Sequence, residues 1–580
     1  MDKIPKMIKL DTSKNHFRLE IRKSKNGGIN MKLKKVLALV IAGAMAISTA
    51  ACGNSNSTTT EAAEETEAAN TIEESGIEVD ETRELATKDN RLDSVTVALD
   101  ADPIDLLPHS PNNQNKGYIT RLIYEPLFYC EDNIYYPILA EGYEVVDDTH
   151  WKVTLRDDIY DTDNNHITAD DVVYSYDWLV DTGYVNRFDA YGGVEKTGDY
   201  EVVFTWTSPV DGLAEVDSPL SSFVFSEKAF NDHNFATDPV GTGPYKLENF
   251  TAGSEITVVA NDDYWAYKAG EDLCYRQQSN VEKIIYKIIT EASQNVTGLA
   301  TGNLDMSMNI PSDSLAEFSD GGMYADDFNV TIRNATAVCW LTWNETEGKI
   351  TADENFRLAC AYALNNEAIA KVGGLYTAAT AFCSPSAGEW EDDLVVNDGY
   401  ITTTDLDLAK EYLDKTAYNG ETLYVLSYNS EAYKNIATMI VTCLSQIGIN
   451  AEVKAVDNND FDADMGDPDA FDMASGYFGG AYLPSGLNRI INYGDFIPDA
   501  GAGFIRDKEL LTLWQTCNTT ETYTHENVKA CLDYMYDKVY FYPTAVQYVV
   551  AVTSNKVASV FYQTATTTIW PNACDYYVSQ

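Results

Sequence analysis

Cations are scarce in this 580-residue chain: 40 Lys and Arg stand against 90 Asp and Glu, a formal net charge of −50. A surface this acidic repels phosphate backbones and anionic headgroups, which argues against nucleic acid as a partner. Histidine is rarer still. The six residues at 16, 109, 150, 166, 233 and 525 fall in no HExxH motif and beside no GxSxG elbow. Zinc-protease and serine-hydrolase chemistry have no support, and an enzyme is not expected. The ten cysteines include no CxxC and no Cys/His ligand spacing, so neither a metal site nor a cofactor is expected. Gly241 and Gly243 are not followed by the GK[ST] of a phosphate loop. They are expected to make a tight turn that needs glycine torsions. The apolar run Val36–Ile47 covers 12 residues, too few for a permanent membrane span. What is present is a body that folds: 45% hydrophobic and 12% aromatic residues argue against general disorder. At this length the core must divide between lobes.

Lys32, Lys34 and Lys35 precede that apolar run, and Thr49-Ala50-Ala51 follows it immediately before Cys52. The order resembles a bacterial lipoprotein signal, with Thr49 where leucine is more usual. The resemblance implies cleavage before Cys52 and a diacylglycerol on its thiol, an anchor on the outer face of the membrane. Gly27-Gly28 lies just ahead of Met31, so residues 1–30 are expected to be an untranslated extension upstream of the true start. Cleavage removes 11 cations and three carboxylates, leaving 529 residues with a net charge of −58. Nine cysteines other than Cys52 remain, an odd number. Cys360 and Cys443 fall in apolar helical patterns, and core thiols are expected. Reduced cysteines in an exported protein suit a weakly oxidising setting.

Residues 52–91 are a polar, acidic tether with almost no large apolar side chain, so nothing offsets ordering entropy. Its flexible part has an end-to-end reach of roughly 35 Å. Strand alternation then appears at 94–99 and 149–156, at Glu201–Trp206 and Ile256–Ala260, and at Val281–Ile289. Thr168-Ala169-Asp170-Asp171 is a capping box ahead of the helix Val172–Leu179. From about residue 335 strands and helices alternate: a strand Ala337–Thr342, a helix capped by Asp353 and a helix Leu406–Leu413. A strand at Leu423–Ser427 follows. Ile436, Met439, Ile440, Cys443, Leu444 and Ile447 then mark a helix face, Gly448 ends it, and Ala451–Val456 returns as a strand. That grammar predicts an α/β lobe.

Pro239-Val240-Gly241-Thr242-Gly243-Pro244-Tyr245 resembles the PxGTGPY hallmark of the solute-binding proteins of oligopeptide, dipeptide and nickel ABC importers. Ile123–Leu127, Pro137–Glu141, Asn261–Trp265, Gly302–Asp305 and Arg357–Ala359 follow in that family's order. The resemblance spans roughly 92–570. It implies an α/β clamshell of two lobes, type II, of the large peptide-binding subclass with an extra N-terminal subdomain at about 130–210. Lobe 1 would comprise 92–335 with 551–580, and lobe 2 residues 336–550, with two crossing segments as the hinge. Ligand is expected between the lobes, a membrane permease with its ATPase as partner, and a monomer.

The resemblance also carries positions into the cleft. Asn112 and Gln114 fall in the early cleft loop, where Leu107 replaces the usual aspartate. Phe188 follows the Val172–Leu179 helix. Trp340 and Trp343 enter the second lobe and suit either the cleft or the lobe core. Tyr477 keeps the aromatic of a Gly-Trp-x-x-Asp segment, whereas Gly480 replaces the aspartate that pairs with a peptide's α-amino group. A buried ammonium without that counter-charge is costly, so a neutral solute such as an oligosaccharide stands beside a short peptide as the expected cargo. A surface protein that feeds no permease is the alternative outside transport. Asp161–Asn165 starts like a calcium loop but has His166 and Val172 where glycine and glutamate belong; a turn is expected. Asp460, Asp462, Asp464, Asp467 and Asp469 are expected to form a solvated acidic loop.

Overall fold

The computed structural model describes residues 90–109, 117–131, 134–187, 191–210, 217–269, 273–382, 384, 401, 403–478, 505–517, 522, 524–563 and 568–576. Cys52, the leader, most of the tether, Asn112, Gln114, Phe188 and Gly480 lie outside them.

One 11-stranded sheet runs through the molecule. Its order is Tyr245–Thr251, Glu255–Ala260, Val281–Ile288, Leu92–Leu99, Met306–Ser307, Phe541–Ser554, Phe328–Trp343, Met473–Phe478, Leu423–Tyr428 and Ala451–Val456, with Tyr376–Ala378 pairing off this path. The Phe328–Trp343 strand is far longer than the predicted Ala337–Thr342. It pairs antiparallel with Phe541–Ser554 along almost its whole length, and the register shifts between Asn334 and Val338. Its N-terminal half packs Phe328 with Leu299, Leu304 and Phe318; its C-terminal half packs Trp340 and Trp343 into other cores. Val338 and Val546 meet at the junction as a small cluster with Ala379.

The cores divide accordingly. One large cluster joins residues between Val95 and Met306 with Ala551–Cys574, and two others are built only from residues between Cys339 and Ala545. The protein is two-lobed. Within the first lobe, Ala140–Asp147, His150–Leu155, Glu201–Trp206 and Tyr191–Gly198 form their own four-stranded antiparallel sheet. The helix Ala169–Asp181 packs on it.

Local signals set several boundaries. Thr168 and Asp171 complete a capping box at the start of Ala169–Asp181, three residues ahead of the predicted helix. Asp353 accepts from the Asn355 N–H at 2.8 Å and opens Glu354–Ala363. The acidic stretch departs from its expectation. Asn458–Met465 is helical, because Phe461 and Met465 share a face and bury it, while Lys454 pairs with Asp464 at 2.9 Å.

Candidate ligand-binding site

In open α/β sheets ligands lie beyond the carboxyl ends of the strands. Tyr428 ends the strand Leu423–Tyr428, and Tyr477 stands one residue before the end of its parallel neighbour Met473–Phe478. Their rings meet at 5.4 Å, tilted by 56°. Tyr433, in the first turn of the helix Glu431–Ser445, stacks on Tyr477 at 4.9 Å and 5°. Phe461 stacks on the other ring, Tyr428, at 4.0 Å. Burial pushes the pKa of the Tyr433 hydroxyl far above the usual phenol value. It is therefore a neutral donor and acceptor at any working pH. Tyr477 remains partly exposed. The arrangement is a backed aromatic wall: it offers apolar ring surface with phenolic hydroxyls at its rim. Sequence reasoning names Tyr477 but not Tyr376, Tyr428 and Tyr433, which pack with it. The Tyr-Asn-Ser that joins the end of the strand to the cap of the next helix was the available signal.

Trp340 and Trp343 take the core option rather than the cleft. Both are fully buried. Trp340 lies against Phe541, and Trp343 donates Nε1–H to the Val539 carbonyl at 2.5 Å. Rings covered on every side present no face to a ligand in this arrangement.

In the first lobe the described part of the early cleft loop ends at His109. Its ring lies 4.6 Å from Tyr184 and 5.0 Å from Phe223, and Nε2 accepts from the Phe223 N–H at 3.0 Å. Tyr184 follows the Ala169–Asp181 helix, in the same connection as Phe188. The two loops expected at the cleft are thus brought together, with Tyr184 as the described aromatic.

The Pro239–Tyr245 motif is structural, but not by the expected torsions. Neither Gly241 nor Gly243 has a positive φ. A Cβ on Gly241 would instead sit on the Ile123 carbonyl, 2.8 Å from its carbon, and one on Gly243 would strike the Leu122 and Ile123 carbonyls. The glycines are required by close backbone approach, sealed by Gly243 N–H donating to the Ile123 oxygen at 2.8 Å. The neighbouring Glu125 is buried. Trp265 Nε1–H donates to it at 2.8 Å, and Tyr264 donates through its hydroxyl. Burial raises the Glu125 pKa despite these donors. The segments 123–127 and 261–265 therefore meet at one carboxyl group, while 239–245 packs on the backbone of the first.

The acidic segment at 161 uses its own oxygens. Asp161 accepts from the backbone of Asp163 and Asn165 and from the Asn165 amide, a turn with no calcium geometry. No group of three or more His, Cys, Asp or Glu among the described residues is arranged to hold a metal ion.

The model of "Bacterial extracellular solute-binding proteins, family 5 Middle" matches residues 135–493. The chain belongs to this family. Among curated relatives, the glutathione-binding protein GsiB of Salmonella paratyphi A is 25% identical over 395 residues, covering 64% of this chain and 70% of GsiB. Among solved structures, the substrate-binding protein CtaP of Listeria monocytogenes aligns with a TM-score of 0.67 at 19% identity, covering 84% of this chain and 99% of CtaP. The oligopeptide-binding protein AppA of Bacillus subtilis, solved with a nonapeptide, gives 0.64 at 17% identity over 84% of this chain and all of AppA. This family 5 member thus shares the two-lobed binding-protein fold, and its family is one of extracellular binders of solutes.

Proposed function

We propose that the chain is the capture subunit of an ABC importer, taking a short peptide between its lobes and passing it unaltered to a membrane permease. It acts as a monomer held to the outer face of the membrane by a lipidated Cys52. The observation that carries this reading is the Tyr477–Tyr433–Tyr428 wall at the strand carboxyl ends of a chain in this family. Relatives named for glutathione and oligopeptide binding support the choice of cargo. The hinge is the double crossing of Phe328–Trp343 and Phe541–Ser554, where the register shift at Asn334–Val338 separates the two cores. Lobe 1 is then 92–335 with 551–580, lobe 2 is 336–550, and the four-stranded sheet is the extra subdomain. Tyr477 is the wall residue. Asn112, Gln114 and Phe188 complete the site from lobe 1, and Gly480 leaves room beside the wall. Main-chain hydrogen bonds and wet pockets would give breadth of peptide sequence. No group catalyses a reaction on the cargo.

The loss of the aspartate at Gly480 keeps a neutral solute in view, because the wall serves a sugar face equally well. Mass spectrometry of small molecules released from freshly purified protein decides between them. Peptides support the proposal, oligosaccharides replace its cargo, and chemically altered products refute it.

A further inference from the structure

Two guanidiniums in the first lobe stand apart from the other cations of this acidic chain. Several other cations meet carboxylates: Arg91 meets Asp262 and Glu282, Lys152 meets Glu144 and Glu201, and Arg357 meets Glu345. Arg276, in the turn Tyr275–Gln277, is only 8% exposed. Its Cζ lies 4.1 Å from the centroid of the Tyr129 ring. Arg121 sits in the last turn of the helix Gly117–Ile123, which packs on that same turn. Among the described residues neither guanidinium donates a hydrogen bond or meets a carboxylate.

A ring face attracts the positive charge of Arg276 but accepts none of its five N–H groups in their plane. A guanidinium buried without acceptors is costly, and a second like charge beside it adds to the cost. Burial and the charge of Arg276 both push the Arg121 pKa down. The floor beneath them is firm: the Tyr129 and Tyr275 hydroxyls are hydrogen-bonded, and Tyr275 stacks on Phe561 at 3.9 Å. Among the described residues of a chain with 90 carboxylates, none pairs with either guanidinium.

We propose that Arg121 and Arg276 form a binding site for a small oxyanion, a carboxylate or a tetrahedral sulfate or phosphate, in the first lobe. The anion accepts the in-plane N–H groups of both guanidiniums and neutralises their repulsion. The site is built from elements other than the Tyr477 wall, so it goes beyond the solute-capture reading and stands if that reading fails.

The test is thermal melting of the chain from Cys52 onward, in chloride buffer at constant ionic strength, titrated with sodium sulfate and separately with sodium acetate. A saturable rise in Tm with at least one of the two is expected. Arg276→Gln and Arg121→Gln should each weaken its apparent affinity at least tenfold. No response to either anion, or an unchanged response in both variants, overturns the site. Because loss of a buried arginine can itself unfold the lobe, crystals of the unsubstituted protein soaked in selenate give a second readout. An anomalous peak between the two guanidiniums supports the proposal, and its absence at saturating concentration overturns it.

Discussion

Tyr477 and Tyr433 lie face to face, their ring centroids 4.9 Å apart and their planes 5° from parallel. Tyr428 lies against Tyr433 as well, at 5.5 Å, and stacks on Phe461 at 4.0 Å, so the wall is backed by other rings. Tyr477→Ala should weaken binding of the co-purifying solute by at least ~1 kcal/mol, about fivefold in Kd. Titration calorimetry reads this directly. An unchanged Kd removes Tyr477 from the site.

A methyl group at Gly243 would collide with backbone carbonyls that have no rotamer to change. Gly243→Ala should cost about 2 kcal/mol or more, read as a lower urea midpoint. Gly142→Ala is the control, since a Cβ there meets nothing within 4 Å; it should shift the midpoint little. Equal effects at the two positions would remove the close-approach account of the motif.

His233 lies between two carboxylates, 2.8 Å from Asp238 and 2.8 Å from Asp163. The hydrogen bond to Asp238 leads the effects that raise its pKa above the ordinary 6.5. The folded state therefore holds the proton more tightly than the unfolded chain. The stabilisation is complete below pH 6.5 and is lost as pH rises through the higher folded value. The carboxylates are well exposed, which keeps the effect under about 1 kcal/mol. His233→Gln should cost stability at pH 5.5 and almost none at pH 9, by urea denaturation at low salt. A variant whose deficit grows with pH would contradict the assignment.

Cys339, Cys360 and Cys443 are free and buried. Burial raises the thiol pKa of Cys339 and Cys360 far above the usual range, so thiolate is negligible. These three should react with a thiol reagent at least a hundredfold more slowly in the native state than in guanidinium chloride. Rapid native labelling of all three, located by peptide mapping, would show that this packing is wrong.

The fold is legible in the sequence wherever the deciding chemistry is local. The strands Glu201–Trp206 and Ala451–Val456 begin and end with their alternation. Asp353 opens its helix, and Gly448 ends another at φ +90°. What depends on distant neighbours is hidden. Nothing near Gly243 announces that the backbone of Ile123 passes against it. A tryptophan on a strand reads alike whether it faces a cleft or a core, and only packing against Phe541 and Val539 places Trp340 and Trp343 inside. Tyr477 stands out through a segment pattern, whereas Tyr376 and Tyr433 join it from separate elements.

Small-angle scattering of the chain from Cys52 onward, titrated with the solute it carries through purification, tests the capture account most directly. The account predicts a saturable fall in radius of gyration as the lobes close, with the solute recovered unchanged. A radius that stays constant while calorimetry registers saturated binding would contradict it.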